Sequence, residues 1–221
     1  MSTNKESAAM DVDLFKKFSK ANFIPRLFSA LIMAPSALFF IWMGGYVYIG
    51  FIALLIIILA WEWQAMLRKR PHLVIGILGY IYIFICGMAL LKIRFIPDGF
   101  YIILWLLITI AVTDIAGYLF GVSIGGKKLC PTISPGKTWA GLIGAISCAA
   151  LCNYIYFNST KMAISAAMVA IIGQMGDLLE SACKRYFGVK DSSNFIPGHG
   201  GFLDRMDSLL PVCLAYYSMI A

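Results

Sequence analysis

Residues 181–207, SACKRYFGVKDSSNFIPGHGGFLDRMD, concentrate reactive side chains in a chain that is otherwise mostly hydrocarbon. The segment holds Lys184, Arg185, Lys190 and Arg205, the carboxylates Asp191, Asp204 and Asp207, and His199 set among Gly198, Gly200 and Gly201. Carboxylates suit a hard cation, lysines and arginines suit phosphate oxygens, and glycines let backbone approach an anion closely. Asp204 and Asp207 stand three residues apart, so a helical turn points both the same way. With Asp177 from a neighbouring helix they make a candidate magnesium site, since Mg²⁺ takes one or two carboxylates together with water and substrate phosphates. The alternative for Asp204 and Asp207 is a pair of helix-start acids stabilised by the helix dipole.

Asp177, Glu180, Ser181 and Lys184 recur at helical spacing and share one face. Asp114 and Asp177 both interrupt apolar runs, where an ionisable group costs about 2.5–3.5 kcal/mol on insertion scales and marks a functional position. At about 1.5 Å rise per residue each lies roughly 10–15 Å from the same boundary. That depth describes a polar cavity open to one side of a membrane. Residues 125–141, GGKKLCPTISPGKTWAG, form a second polar island. Lys128, Ser134, Lys137 and Thr138 there read either as phosphate contacts or as an ordinary turn. The island lacks the GxxxxGK[ST] spacing of a P-loop, and no strand is expected before it. His199 reads as a loop residue, with proton transfer as the alternative.

The elements that must position these residues are membrane helices. The chain has 221 residues, 61% hydrophobic and 13% charged, with mean hydropathy +0.83. That excludes an ordinary soluble domain. Apolar runs at 27–43, 46–66, 73–91, 100–122, 139–157, 162–185 and 207–221 predict an all-α polytopic protein of about seven spans. Residues 1–26 form a polar amino-terminal tail, either disordered or carrying a short amphipathic surface helix, and 27–221 form one catalytic membrane domain. No internal repeat is evident. Net charge is +7, and its distribution is uneven. With the amino terminus inside, only Lys92, Arg94 and Lys161 of the 18 lysines and arginines fall outside. The positive-inside rule therefore predicts a cytoplasmic amino terminus and, with seven spans, a carboxy terminus on the outer side. The loop bearing Arg68, Lys69 and Arg70 fits contact with anionic lipid. The six cysteines form no CxxC pair and read as core thiols.

The run Ser181-x-x-Lys184-Arg185-x4-Lys190-Asp191 … Pro197-x-His199-Gly200-Gly201-x-x-Asp204-Arg205-x-Asp207 resembles the phosphatidate cytidylyltransferase (CDP-diacylglycerol synthase) family. Gly176-Asp177-Leu178-Leu179-Glu180-Ser181, Asp114 with Gly117-Tyr118, and Ser134-Pro135-Gly136-Lys137-Thr138 extend the likeness over residues 105–210. Cys183 and Ala140 depart from the usual residue types, and the chain is short for the family, implying fewer amino-terminal spans. The resemblance implies transfer of a cytidylyl group from CTP to phosphatidate, giving CDP-diacylglycerol and pyrophosphate. It implies Mg²⁺, with a second cation able to join, at Asp177, Asp204 and Asp207, and Asp114 as a further ligand. Lys190 and Arg205 join the three aspartates as catalytic residues. Ser134, Lys137, Thr138, Ser181, Lys184, Arg185, Asp191, His199, Gly200 and Gly201 contact substrates. The implied partners are CTP, phosphatidate, membrane lipid and a second copy of the chain, with no nucleic acid. The implied location is the bacterial inner membrane, with the site facing the cytoplasm. A CTP-dependent lipid kinase, a cytidylyltransferase for another lipid phosphate, a transporter using intramembrane carboxylates and a non-catalytic scaffold are the alternatives.

Overall fold

The computed structural model describes residues 20–193, 195–196 and 200–220, with backbone alone for 20–30. The expected tail up to residue 19, together with Pro197, Gly198 and His199, lies outside the described residues.

Six long helices follow the apolar runs: α1 (Lys20–Met43), α2 (Gly45–Leu67), α3 (Leu73–Phe95), α4 (Gly99–Ser123), α5 (Trp139–Phe157) and α6 (Thr160–Tyr186). A four-residue helix α7 (Leu203–Met206) and a final helix α8 (Leu209–Ile220) complete the chain. Local chemistry sets most boundaries. Gly44 and Gly45 adopt positive φ (64° and 52°) and turn α1 into α2. The His72, Thr138 and Ser159 side chains accept backbone N–H groups at the starts of α3, α5 and α6. Asn158, at φ 47°, closes α5 one residue before the Ser159 cap, which makes α5 and α6 an antiparallel hairpin.

Among the described residues five helices, α2 to α6, are long and apolar enough to cross a bilayer, and the chain is an integral membrane protein. Seven were expected. The first expected span falls in α1 (Lys20–Met43), whose side chains are described only from Leu31, and the last, Leu209–Ile220, is shorter. Twelve residues of helix reach only about 18 Å, against a hydrocarbon core of about 30 Å. The last run, expected from 207, begins as helix at Leu209, because Asp207 and Ser208 form the turn between α7 and α8.

The fold is mostly helical but not all-α. Residues 125–141 contain an antiparallel ribbon, β1 (Lys128–Cys130) with β2 (Ser134–Thr138), in the register Lys128↔Thr138 and Cys130↔Ser134 with a bulge between. The strands were missed because a Gly/Pro-rich island with three residues of ladder carries no readable alternation.

The core runs between α2, α3, α4 and α8. On α2 the buried positions Tyr48, Ile52, Leu55, Leu59, Glu62, Trp63 and Met66 step by threes and fours along one face. Helices α4 and α5 meet through small residues: a Cβ on Gly141 would lie 2.7 Å from the Gly117 carbonyl oxygen, and one on Gly144 would lie 2.4 Å from Phe120. At one end of the bundle Arg94 donates from Nε to the Ile41 carbonyl (2.6 Å) and from the guanidinium to Trp42 (3.2 Å), closing the end of α1. At the other end Arg70 donates to the Tyr186 carbonyl and Arg185 to that of Ile133. The loop after α2, the ribbon and the loop after α6 therefore share one end, as the charge pattern anticipated.

Gly176 fixes where α6 meets the break before α8. A Cβ there would fall 2.4 Å from the Asp207 carbonyl oxygen and 2.4 Å from Pro211 Cγ. Gly176→Val is expected to displace Asp207 from α6 and to lower activity by about 10²-fold, in line with the cost of about 1 Å of misplacement. Steady-state assay of the purified variant beside Gly173→Ala, whose added Cβ would meet nothing closer than 3.6 Å, checks it.

Candidate functional site

Three carboxylates converge where α6 faces the break before α8. Asp177 and Glu180 lie one turn apart on α6, Asp207 comes from the turn, and one oxygen of each lies within 4.8 Å of the others. Glu180 is only 8% exposed, and both its oxygens lack a hydrogen-bond partner. Lys184 Nζ stands 3.3 Å from one of them. A buried carboxylate without hydrogen bonds is costly, and a bound cation would satisfy it. The donor set, all oxygen and partly buried, fits a hard divalent cation.

Asp204 is committed elsewhere. Its Oδ1 accepts from Lys184 Nζ (2.6 Å), and its Oδ2 accepts the backbone N–H groups of Ser192 (2.9 Å) and Gly201 (2.8 Å). Burial alone would raise this carboxyl. The Lys184 hydrogen bond and the Gly201 and Ser192 N–H groups outweigh burial and hold it below the usual carboxylate range. Lys184 thus bridges Glu180 and Asp204.

Glu62 organises the same loop from a distant helix. It is fully buried on α2, and it accepts the N–H groups of Phe202 (2.9 Å) and Leu203 (2.7 Å) at the start of α7 and the Ser193 hydroxyl (2.6 Å). The Ser192 hydroxyl sits between the two acids, 2.9 Å from Asp204 and 3.2 Å from Glu62. Gly200 and Gly201 leave room for this latch. A Cβ on Gly201 would lie 2.5 Å from Glu62 Oε1, and Gly200 has φ 81° and would meet Asp204 Oδ2 at 2.8 Å. The two glycines therefore serve close packing against carboxylates.

On the other side of the cluster lies a polar cavity of about 590 Å³ between α4, the ribbon, α5 and α6. Asp114, Asp177, Lys128, Lys137, Thr138 and Gln174 are among its lining residues. Lys137 reaches from β2 to Asp177 (2.7 Å), and Gln174 donates to Asp114 (3.2 Å), so the two depth-matched aspartates face one space. The Ser181 hydroxyl donates to Asp177 (3.3 Å). Arg205 lies within electrostatic reach of Asp114.

The structure gathers Asp114, Asp177, Asp207, Lys137, Thr138, Ser181, Lys184, Asp204, Gly200 and Gly201 about this centre. Thr138 also spends a lone pair on the Gly141 N–H as the cap of α5 (3.1 Å). Ser134 and Arg185 do not line the polar cavity. Lys190 and Asp191 are exposed on the loop after α6. Glu180 and Glu62 were absent from the expected site. Glu180 shares a helix face with Asp177, and Glu62 is a carboxylate at the end of an apolar run, so both had a signal.

Asp207 lies outside the five spanning helices. Burial, then the neighbouring Asp177 charge, push its carboxyl up to about 7. A cation ligand must shed its proton, so cation affinity falls as pH drops below that value. Half-saturation by Mg²⁺ is expected to require about five times more metal at pH 6 than at pH 7, read from magnesium titrations of activity at fixed pH.

These features define the class as an integral membrane protein with a carboxylate- and lysine-lined site at one end of its helices. Residues 71–221 match the cytidylyltransferase family; the chain belongs to it and is a nucleotidyltransferase. A phosphatidate cytidylyltransferase of Brucella suis biovar 1 (strain 1330) is 29% identical over 251 aligned positions, covering 89% of this chain and 93% of that protein. The enzymes of the same name from Staphylococcus haemolyticus (strain JCSC1435) and Staphylococcus aureus (strain COL) are 41% and 42% identical over 120 residues, covering 51% of this chain and 46% of theirs.

Proposed function

We propose that this chain transfers the cytidylyl group of CTP to phosphatidate, with Mg²⁺ held by Asp177, Glu180 and Asp207. The observation that carries the reading is the position of the three carboxylates: Asp177 lines the polar cavity, while Glu180 and Asp207 line an apolar one. A nucleotide and a lipid phosphate thus have separate approaches to one centre.

A phosphatidate oxygen attacks the α-phosphorus of CTP. A new P–O bond forms, the bond to the β-phosphate bridging oxygen breaks, and pyrophosphate leaves with that electron pair. A phosphomonoester has its second pKa near 6, so at neutral pH the nucleophile needs no strong base, and His199 is not required for proton transfer. Positioning and charge neutralisation carry such a transfer. When bound, the cation supplies neutralisation of the charge that develops on the phosphates. Lys128 and Lys137 line the nucleotide side, and Lys137 is placed to exchange Asp177 for a triphosphate oxygen. Lys184 holds Glu180 and Asp204 in register.

The same reading places the protein in a bacterial inner membrane with its amino terminus and site on the cytoplasmic side, where CTP is available. Seven crossings would need α1 (Lys20–Met43) and the short Leu209–Ile220 helix, with chain flanking it, to span as well, and a homodimer is the expected assembly. The test incubates purified protein in detergent with CTP, phosphatidate and Mg²⁺. Equimolar CDP-diacylglycerol and pyrophosphate, lost on chelation and restored by Mg²⁺, are expected; no product under conditions where a known synthase is active would overturn the reading.

A further inference from the structure

We propose that the apolar cavity between α3 and α6 receives an acyl chain of the lipid substrate, with Trp63 and Gly79 as its inner wall and Leu78 and Leu179 at its rim. This inference rests on the lipid-phosphate reading above and assigns the hydrocarbon part of that ligand.

The cavity holds about 280 Å³. Ile75, Leu78, Gly79, Tyr82 and Ile83 line it from α3 at intervals of three and four, one stripe of that helix. Gly176, Leu179, Glu180 and Cys183 line it from α6 with the same spacing. Two helical stripes therefore face each other across a gap floored by Trp63 from α2 and by Leu203 and Leu210. The inner wall is fixed. The Trp63 indole donates to the Gly76 carbonyl (3.2 Å) and stands edge-on to Phe187 with ring centroids 5.4 Å apart. It lies so close to α3 that a Cβ on Gly79 would fall 2.0 Å from the ring.

Chemistry selects the occupant. Among the described residues the carboxylates on the wall are Glu180 and Asp207, two of the three acids of the cluster. A ligand filling this space has hydrocarbon along its length and an anionic group at the cation site. Leu78 and Leu179 are 59% and 55% exposed on spanning helices, so the mouth opens towards the bilayer. An apolar cavity of about 150 Å³ accepts benzene, so this one has room for roughly a dozen carbons. That suits the proximal part of one acyl chain and excludes two.

Leu179→Trp and Leu78→Trp narrow the mouth without touching the acids. In mixed micelles at saturating CTP, each is expected to raise KM for dioleoyl phosphatidate about ten-fold or more relative to dibutyryl phosphatidate, the scale on which pockets discriminate apolar groups. KM for CTP stays within about two-fold, because CTP takes the other cavity. Equal changes for both lipids, or none for either, would overturn the assignment. A second measurement needs no variant: phosphatidate carrying a photoactivatable diazirine on one acyl chain is irradiated with wild-type protein. Label within residues 75–83 or 176–183, or at Trp63, Leu203 or Leu210, supports the cavity, and label confined to other positions refutes it. Wild-type protein that converts neither lipid would instead sink the cytidylyl-transfer reading, and the crosslink would still report where the chain lies.

Discussion

Asp207→Asn is expected to lower turnover by at least about 10²–10³-fold, the loss that accompanies removal of one group stabilising transition-state charge. The substitution keeps the shape of the side chain and can still accept from Ser208 N–H, the bond Asp207 makes at 2.7 Å. It removes one negative charge from a cluster whose three ligand oxygens lie within 4.8 Å of each other. Raised Mg²⁺ should recover little of the loss, since the fixed oxygen donor is gone. Thermal unfolding should stay near wild type, because burial beside Asp177 and Glu180 sets like charges together and the aspartate itself adds little stability. Asp204→Asn separates the two roles. It breaks the 2.6 Å pair with Lys184 and weakens the bonds to Ser192 and Gly201, so stability should fall along with turnover. Near-normal turnover by Asp207→Asn at saturating Mg²⁺ would remove this residue from the cation site.

Glu62→Ala should release the whole latch. The buried N–H of Leu203, the part-buried N–H of Phe202 and the Ser193 hydroxyl lose their acceptor together. A buried donor left unsatisfied costs about 1–3 kcal/mol, so a destabilisation of several kcal/mol is expected, with strong loss of activity although Glu62 is not among the clustered acids. Glu62→Gln keeps an acceptor and should recover part of the stability. Limited proteolysis sharpens the reading, because cleavage between residues 190 and 203 should quicken in Glu62→Ala and much less in Glu62→Gln. Unchanged melting and unchanged cleavage would show that the loop is held by other means.

These residues show how far the sequence could be read. The runs that became α4, α5 and α6 were legible to within two residues, because lipid imposes one hydrophobic length and one way of satisfying the backbone. The candidate site was legible only as residue types at helical spacing, which put Asp114, Asp177 and Asp207 among the residues the fold brings near one another. Spacing could not decide between Asp204 and Glu180. Both lie at the right intervals, and a tertiary contact chooses: Lys184 and two loop N–H groups take Asp204, leaving Glu180 beside Asp177 and Asp207. Glu62 acts about 140 residues away along the chain, a distance no local pattern spans. The ribbon was hidden by its brevity.

Isotope placement tests the central claim most directly. Purified protein is given phosphatidate, Mg²⁺ and CTP labelled either at the α-phosphate or at the γ-phosphate, and lipid and aqueous products are separated. The account predicts α-label in the lipid fraction as CDP-diacylglycerol and γ-label wholly in pyrophosphate. Transfer of γ-label into lipid with release of CDP would mean a lipid kinase, and would contradict it.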